Sequence, residues 1–81
     1  MNDSIMELDI HSMTQAQAKV AIEAKLRRAK GGVYRLRIIH GYHGGTALRD
    51  MIRREYAAHP KVKRIELGLN PGVTDLVLRE Y

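Results

Sequence analysis

Residues 33–41 read Val-Tyr-Arg-Leu-Arg-Ile-Ile-His-Gly, and this stretch decides the fold class. Over 33–39, Tyr34, Leu36 and Ile38 alternate with arginines, which predicts a β-strand with one apolar face and one charged face. A strand that is covered on both faces would be apolar on both. The alternation therefore predicts a sheet that helices cover on one face only, with a charged face left open.

Three further segments have strand patterns, at residues 5–11, 62–67 and 75–79. Their alternation divides the side chains between the two faces of the sheet. The side chains predicted to face the helices are Met6, Leu8, Ile10, Ile65 and Leu67. The side chains predicted for the open face are Glu7, Asp9, His11, Arg35, Arg37, Arg64 and Glu66.

Two helices are predicted between these strands. Thr14 and Gln17 have capping-box spacing, and glycines 31–32 are expected to end the first helix in a left-handed cap. Thr46 is predicted to cap the second helix, which ends before residues 59–60, His-Pro. The apolar stripes are Ala18, Ala21, Ile22, Leu26 and Ala29 in the first helix and Leu48, Met51, Ile52 and Tyr56 in the second. The order is βαβαββ, which predicts an α/β two-layer sandwich with both helices on one face of a mixed four-stranded sheet.

Length and composition limit the kind of protein. We interpret residues 1–4 as a tail and residues 5–81 as one domain. The absence of cysteine excludes disulfides, thiolate zinc sites and thiol nucleophiles, and it is consistent with a reducing cytoplasm, where we expect the protein. No apolar run reaches the roughly 20 residues of a membrane span, and the N-terminus lacks the pattern of a signal peptide. We therefore expect no membrane partner.

Positive charge is concentrated in the middle of the chain. The net charge is +5, but residues 19–64 hold 13 bases against three acids, a net of +10. Such a concentration favours a polyanionic partner, because each neutralised phosphate releases a counterion. The alternative is that these residues form ordinary solvated helix surface.

Two segments are candidates for chemistry: residues 8–11, Leu-Asp-Ile-His, and residues 40–46, which include three glycines. The carboxyl ends of parallel neighbouring strands lie at the same end of a sheet, so Asp9, His11 and His40 are expected to converge. A histidine there could transfer protons during phosphodiester cleavage. The aspartate would orient a histidine or hold Mg²⁺ or Mn²⁺. These three residues are the predicted catalytic set.

The glycine-rich loop and the nearby bases form a predicted phosphate-binding set. Glycines allow close backbone approach, and a loop that enters a helix N-terminus presents free amides to an anion. The predicted contacts are Gly41, Tyr42, His43, Gly44, Gly45, Thr46, Arg35, Arg37, Arg49, Arg53, Lys63 and Arg64. Alternatively the glycines only form a tight turn, which Tyr42 shields rather than stacking on a base.

Leu8-Asp9-Ile10-His11, followed by Thr14 and Ala18, resembles one motif of the Smr (small MutS-related) domain family, and residues 36–41, Leu-Arg-Ile-Ile-His-Gly, resemble another. Gly72-Val73-Thr74 before the last strand is also similar, so the resemblance extends over residues 5–81. Ser12 stands where the family often has glycine, and the loop before Leu48 is one residue longer than the family pattern.

The resemblance implies a fold similar to the C-terminal domain of translation initiation factor three. It also implies nucleic-acid binding, with DNA nicking or RNA cleavage, by Asp9, His11 and His40. We therefore expect a nucleic-acid-binding protein with endonuclease activity on DNA or RNA. The alternative is a non-catalytic module that binds RNA, the ribosome or another protein.

Overall fold

A computed structural model describes residues 4–29, 31–41, 46–68 and 70–79. The predicted order βαβαββ is confirmed. The six elements are β1 (Ile5–Asp9), α1 (Gln15–Arg28), β2 (Arg35–Ile39), α2 (Ala47–Tyr56), β3 (Arg64–Leu67) and β4 (Val73–Val77). Within these described ranges no helix is both long and apolar enough to cross a bilayer.

The four strands form one mixed sheet in the order β1-β2-β4-β3. β1 and β2 are parallel, while β4 runs antiparallel to both β2 and β3. β4 begins at Val73, opposite Ile39, and ends at Val77, so the prediction of a last strand over 75–79 was displaced by two residues. This register places Asp75 between Arg37 and Glu66, in the middle of the open face.

The N-terminus of α1 has the predicted capping box. The Thr14 hydroxyl accepts a hydrogen bond from the Gln17 amide, and the Gln17 side chain accepts one from the Thr14 amide. The predicted left-handed cap at glycines 31–32 is wrong, because the helix ends at an extended Ala29 and neither glycine has a positive φ. The Lys61 ammonium donates to the carbonyl of Leu26 instead, at 3.1 Å, and so satisfies part of the helix end.

The N-terminus of α2 differs from the prediction in its cap. Thr46 is the N-cap residue, but its hydroxyl accepts no hydrogen bond from a helix amide. It donates instead to Asp50 Oδ2 at 2.9 Å, one turn into the helix. The acidic residue in the first turn still interacts favourably with the positive end of the helix dipole.

Both helices cover the same face of the sheet, as predicted. The buried stripes of α1 and α2 meet apolar side chains of the strands, while alternate strand residues lie on the open face. Leu67 was predicted to be part of this core, but it is 74% exposed because it ends β3, a strand at the edge of the sheet. The buried apolar residues of this core are Ile10, Ala18, Ile22, Leu26, Val33, Leu36, Ile38, Met51, Ile52, Tyr56, Val62, Leu76 and Leu78.

Candidate functional site

The two candidate segments meet where β1 and β2 end. The amide of Ile10 donates to the carbonyl of Ile39 at 2.9 Å, which extends the parallel ladder one step beyond the strand. A Cβ atom placed on Gly41 would lie 3.6 Å from the Cβ of His11. The structure therefore brings Asp9, His11 and the start of the glycine-rich loop together at one end of the molecule, which we call the site end.

Asp9 and His11 form an exposed hydrogen-bonded pair at the site end. Asp9 Oδ1 accepts from His11 Nδ1 at 2.5 Å and from the His11 amide at 3.0 Å. Because a carboxylate only accepts, the Nδ1 atom carries the proton. The side chains of His11 and Asp9 are 63% and 50% exposed. Ser12 has a φ of 73°, so the chain turns sharply directly after this pair.

The hydrogen bonds of the pair determine the charge of Asp9 and the tautomer of His11. The side-chain hydrogen bond from His11, followed by the backbone one, lowers the pKa of Asp9 below its ordinary value. Asp9 thus stays ionised and fixes the tautomer of the imidazole. No described residue forms a hydrogen bond with Nε2 of His11.

His40 has a different environment from His11. Its side chain is buried, with Nδ1 donating to the carbonyl of Gly41 at 2.8 Å. Nε2 lies 2.8 Å from the Thr74 hydroxyl, which donates to it when the imidazole is neutral. Both ring nitrogens are therefore occupied. This arrangement holds Gly41 in place, together with the hydrogen bond from the Gly41 amide to the carbonyl of Gly72; Gly41 has a φ of 76°.

Thr74 is the partner of His40 that sequence reasoning missed. It is fully buried on the helix-facing side of β4, opposite Ile38. The sequence does contain a signal, because a hydroxyl side chain interrupts an otherwise apolar buried row. Asn70 supports the same region, since its side chain accepts from the Gly72 amide at 2.8 Å and closes the turn before β4.

Part of the predicted phosphate-binding set lies outside the described residues: Tyr42, His43, Gly44 and Gly45. Thr46 follows them and is exposed at the start of α2. The pKa of Asp50 is lowered, first by the hydrogen bond from Thr46 and then by Arg49. Arg49 contacts Asp50 Oδ1 at 3.2 Å, and the charge of Arg53 also acts on this carboxylate.

The arginines predicted for the open face lie on it and bind acids of the same face. Arg35 donates to Asp75 Oδ2 at 2.7 Å, and Arg37 binds both oxygens of Asp75 at 3.2 Å. Asp75 is 1% exposed. Glu66 accepts from Arg35 at 2.8 Å and from Arg64 Nε at 3.1 Å.

Asp75 organises this open-face network, and sequence reasoning did not include it. The hydrogen bonds with Asp75 raise the pKa values of Arg35 and Arg37. The pKa of Glu66 is lowered, first by its hydrogen bond from Arg64 and then by the charge of Arg35. The sequence pattern predicted that β4 begins at Asp75, so this residue was expected at the end of a strand. The observed register places it at the strand centre instead.

The binding of Mg²⁺ or Mn²⁺ by Asp9 stays a prediction. Among residues 4–29, 31–41, 46–68 and 70–79, no group of three or more His, Asp and Glu side chains could hold an ion. One oxygen of Asp9 is already bound by His11. We therefore derive no step through a metal ion.

Comparison with known proteins identifies the family. The Smr domain family model matches residues 8–71, most of the chain. The chain belongs to the Smr domain family. Among solved structures, the Smr domain of Thermus thermophilus MutS2 is similar, with 30% identity and a TM-score of 0.82 over 93% of this chain and 99% of that chain. No significant match was found among curated proteins.

The comparison agrees with the fold described above. The family that the motifs indicated is confirmed, and so is the βαβαββ order that the strand and helix patterns predicted. Smr domains generally bind nucleic acid, and nicking activity is associated with some members of the family.

Proposed function

We propose that this Smr domain binds nucleic acid and cleaves RNA, with His11 as the proton acceptor and Asp9 as the residue that orients it. One observation carries the proposal. The Asp9–His11 pair is exposed beside Gly41, with Nδ1 of the imidazole bound to the carboxylate and Nε2 turned to no described partner. A general base needs this combination of fixed tautomer and accessible nitrogen.

RNA is the substrate whose cleavage requires the fewest protein groups in addition to Asp9 and His11. Its 2′-hydroxyl is a nucleophile within the substrate, so the protein has only to remove that proton and position the phosphate. In the proposed step the 2′-oxygen bonds to phosphorus while the bond from phosphorus to the 5′-oxygen breaks. The 2′-hydroxyl proton moves to His11 Nε2, and the 5′-oxygen leaves with a proton from water.

Asp9 and His40 support this step in different ways. The Asp9 carboxylate stabilises the imidazolium that forms on His11. His40 holds Gly41 and the residues after it through two buried hydrogen bonds, so we propose that it positions the loop. The loop, with Thr46 at the start of α2, would provide the amides that bind phosphate.

A second candidate is nucleic-acid binding without cleavage, for instance to structured RNA or to the ribosome. The occupied ring nitrogens of His40 favour it, because they leave a single accessible histidine at the described part of the site. A cytoplasmic location, suggested by the lack of cysteine, suits either candidate.

Cleavage assays on matched substrates test the proposal. The purified protein is incubated with an RNA oligonucleotide, with the DNA of the same sequence, and with RNA that carries one 2′-deoxynucleotide, each with EDTA and with Mg²⁺. We expect cleavage of the RNA in EDTA, with 2′,3′-cyclic phosphate ends, and no cleavage at the 2′-deoxy position.

Two variants assign the roles. His11→Ala is expected to lower the cleavage rate by roughly 10²–10⁴-fold, the usual contribution of a general base. Arg54→Gln, on the exposed side of α2, should cleave like the wild type. Equal cleavage by His11→Ala would overturn the assignment of the base, and equal cleavage of DNA would overturn the role of the 2′-hydroxyl. Salt-dependent RNA binding without any cleavage would establish the second candidate instead.

A further inference from the structure

Six of the thirteen lysine and arginine side chains among the described residues form an ion pair with a described acid. Arg35, Arg37 and Arg64 bind acids of the open face, as described above. On the helices, Arg49 binds Asp50, while Lys19 and Arg54 both bind Glu55. These charges are neutralised within the protein.

The bases that form no ion pair with any described acid are concentrated in one place. Arg53 is the exception, on α2 near Asp50. The others, which we call the basic end, are Lys25, Arg27, Arg28, Lys61, Lys63 and Arg79.

The fold brings three separate segments together at the basic end. Lys61 donates to the carbonyl of Leu26 in the last turn of α1, at 3.1 Å. The amide of Lys63 donates to the carbonyl of Val77 at 2.7 Å, and the amide of Arg79 approaches the carbonyl of Tyr34 at 3.2 Å. The end of α1, the start of β3 and the end of β4 therefore converge where β2 begins.

Compensation of the helix dipole accounts for only part of this charge. The carboxyl end of a helix carries roughly half a negative charge. Lys61 already contacts the last turn of α1 and supplies a full positive charge there. Arg27, Arg28 and Lys63 are exposed and exceed what the helix end requires.

The basic end is opposite the site end. α1 and α2 run back along the sheet from the site end, and each of the strands β1, β2 and β4 has five residues. At about 3.3 Å per residue, the two ends are separated by roughly 15 Å or more. Phosphates of one strand are spaced by about 3.4 Å along a duplex axis, so a strand with this spacing needs about five nucleotides or more to contact both ends.

We propose that the basic end is a second contact surface for nucleic acid, which binds the phosphate backbone of the strand whose reacting phosphate lies at the site end. The inference rests on the proposed nucleic-acid binding and adds the direction and minimum length of the substrate. Clustered bases that form no ion pair with an acid of the described residues are the side chains best placed to bind phosphate.

Two double variants of equal charge test this surface. Arg27→Gln/Arg28→Gln removes two bases of the basic end, while Lys19→Gln/Arg54→Gln removes two bases that bind Glu55. Binding to a 20-nucleotide RNA is measured by fluorescence anisotropy at several salt concentrations, after circular dichroism has shown that both variants are folded. We expect Arg27→Gln/Arg28→Gln to bind about tenfold more weakly. The slope of its affinity against salt concentration should be shallower by an amount that corresponds to about one to two phosphate contacts. The affinity of the control should change less than twofold.

A dinucleotide RNA completes the test, since its single phosphate cannot contact both ends. Both variants should bind it as the wild type does. Equal weakening of both variants on the long RNA would overturn the basic end as a surface while leaving nucleic-acid binding intact. Absence of binding by the wild type would overturn the proposed function itself. Binding to phosphatidylserine vesicles but not to RNA would assign the basic end to a lipid surface and overturn the proposal.

Discussion

The open face and the basic end both contain arginines, but the ion pairing and the exposure of these arginines differ between the two regions. On the open face, Arg35 and Arg37 converge on one buried carboxylate, Asp75, and are only about 20% exposed. At the basic end, Arg27 and Arg28 are exposed at the end of a helix and form no ion pair with a described acid. The first pair of arginines is held within the structure, while the second pair is the one that we propose binds a partner.

This difference shows that the amount of charge does not locate an interface. The central segment of the chain has a net charge of +10, yet most of the bases described on the open face and on α2 bind carboxylates. Only the tertiary structure separates the neutralised charges from the remainder. Removal of one partner in each region therefore tests whether its charges stabilise the fold.

The largest effect on stability is expected from Asp75→Asn. Removal of one partner of a buried ion pair costs about 3–5 kcal/mol, and the partial exposure of Arg35 and Arg37 places this variant near the lower limit. Urea unfolding should therefore show a loss of about 3 kcal/mol. Glu66→Gln is the matched control, with a much smaller expected loss because Glu66 is one-third exposed. Similar losses in both variants would show that Asp75 does not organise the open face.

A smaller effect is expected within the basic end itself. Lys61→Met removes the hydrogen bond to the carbonyl of Leu26, and we expect a loss of about 1 kcal/mol in the free energy of unfolding. Lys63→Met should leave this free energy almost unchanged, because no hydrogen bond or ion pair of the Lys63 side chain with the described residues is present. If Lys63→Met destabilises the protein as much as Lys61→Met, the separation of structural from available charge at this end is incorrect.

The smallest effect on stability is expected at Asp9, which lies at the exposed edge of the open face. Its folded pKa is below the ordinary value of 3.8, so its contribution to stability is present above that pH and is lost as the pH falls through the folded pKa. Because both partners are half exposed or more, the contribution should be below about 1 kcal/mol. The difference in stability between the wild type and Asp9→Asn should therefore decrease when unfolding is measured below pH 3.8. A difference that is constant with pH would show that the carboxylate is not stabilised by His11.

Much of the fold could be predicted from the sequence, because its signals are local. Alternation in residues 33–39 predicted the charged and apolar faces, and the capping box at Thr14 fixed the start of α1. The failures occurred where long-range contacts compete with local rules. Lys61, far along the chain, contacts the end of α1, and Leu67 is exposed because its strand lies at the edge of the sheet.

The sequence by itself determined the order of the elements, the faces of the strands and the approach of Asp9 and His11 to the glycine-rich loop. These properties depend on side-chain periodicity and on the geometry of parallel strands. Only the tertiary structure decided which histidine is accessible and which arginines are neutralised. The burial of His40 against Thr74, and of Asp75 beneath two arginines, depends on the pairing of β4 with β2. That register joins residues more than 30 positions apart, and no local pattern specifies it.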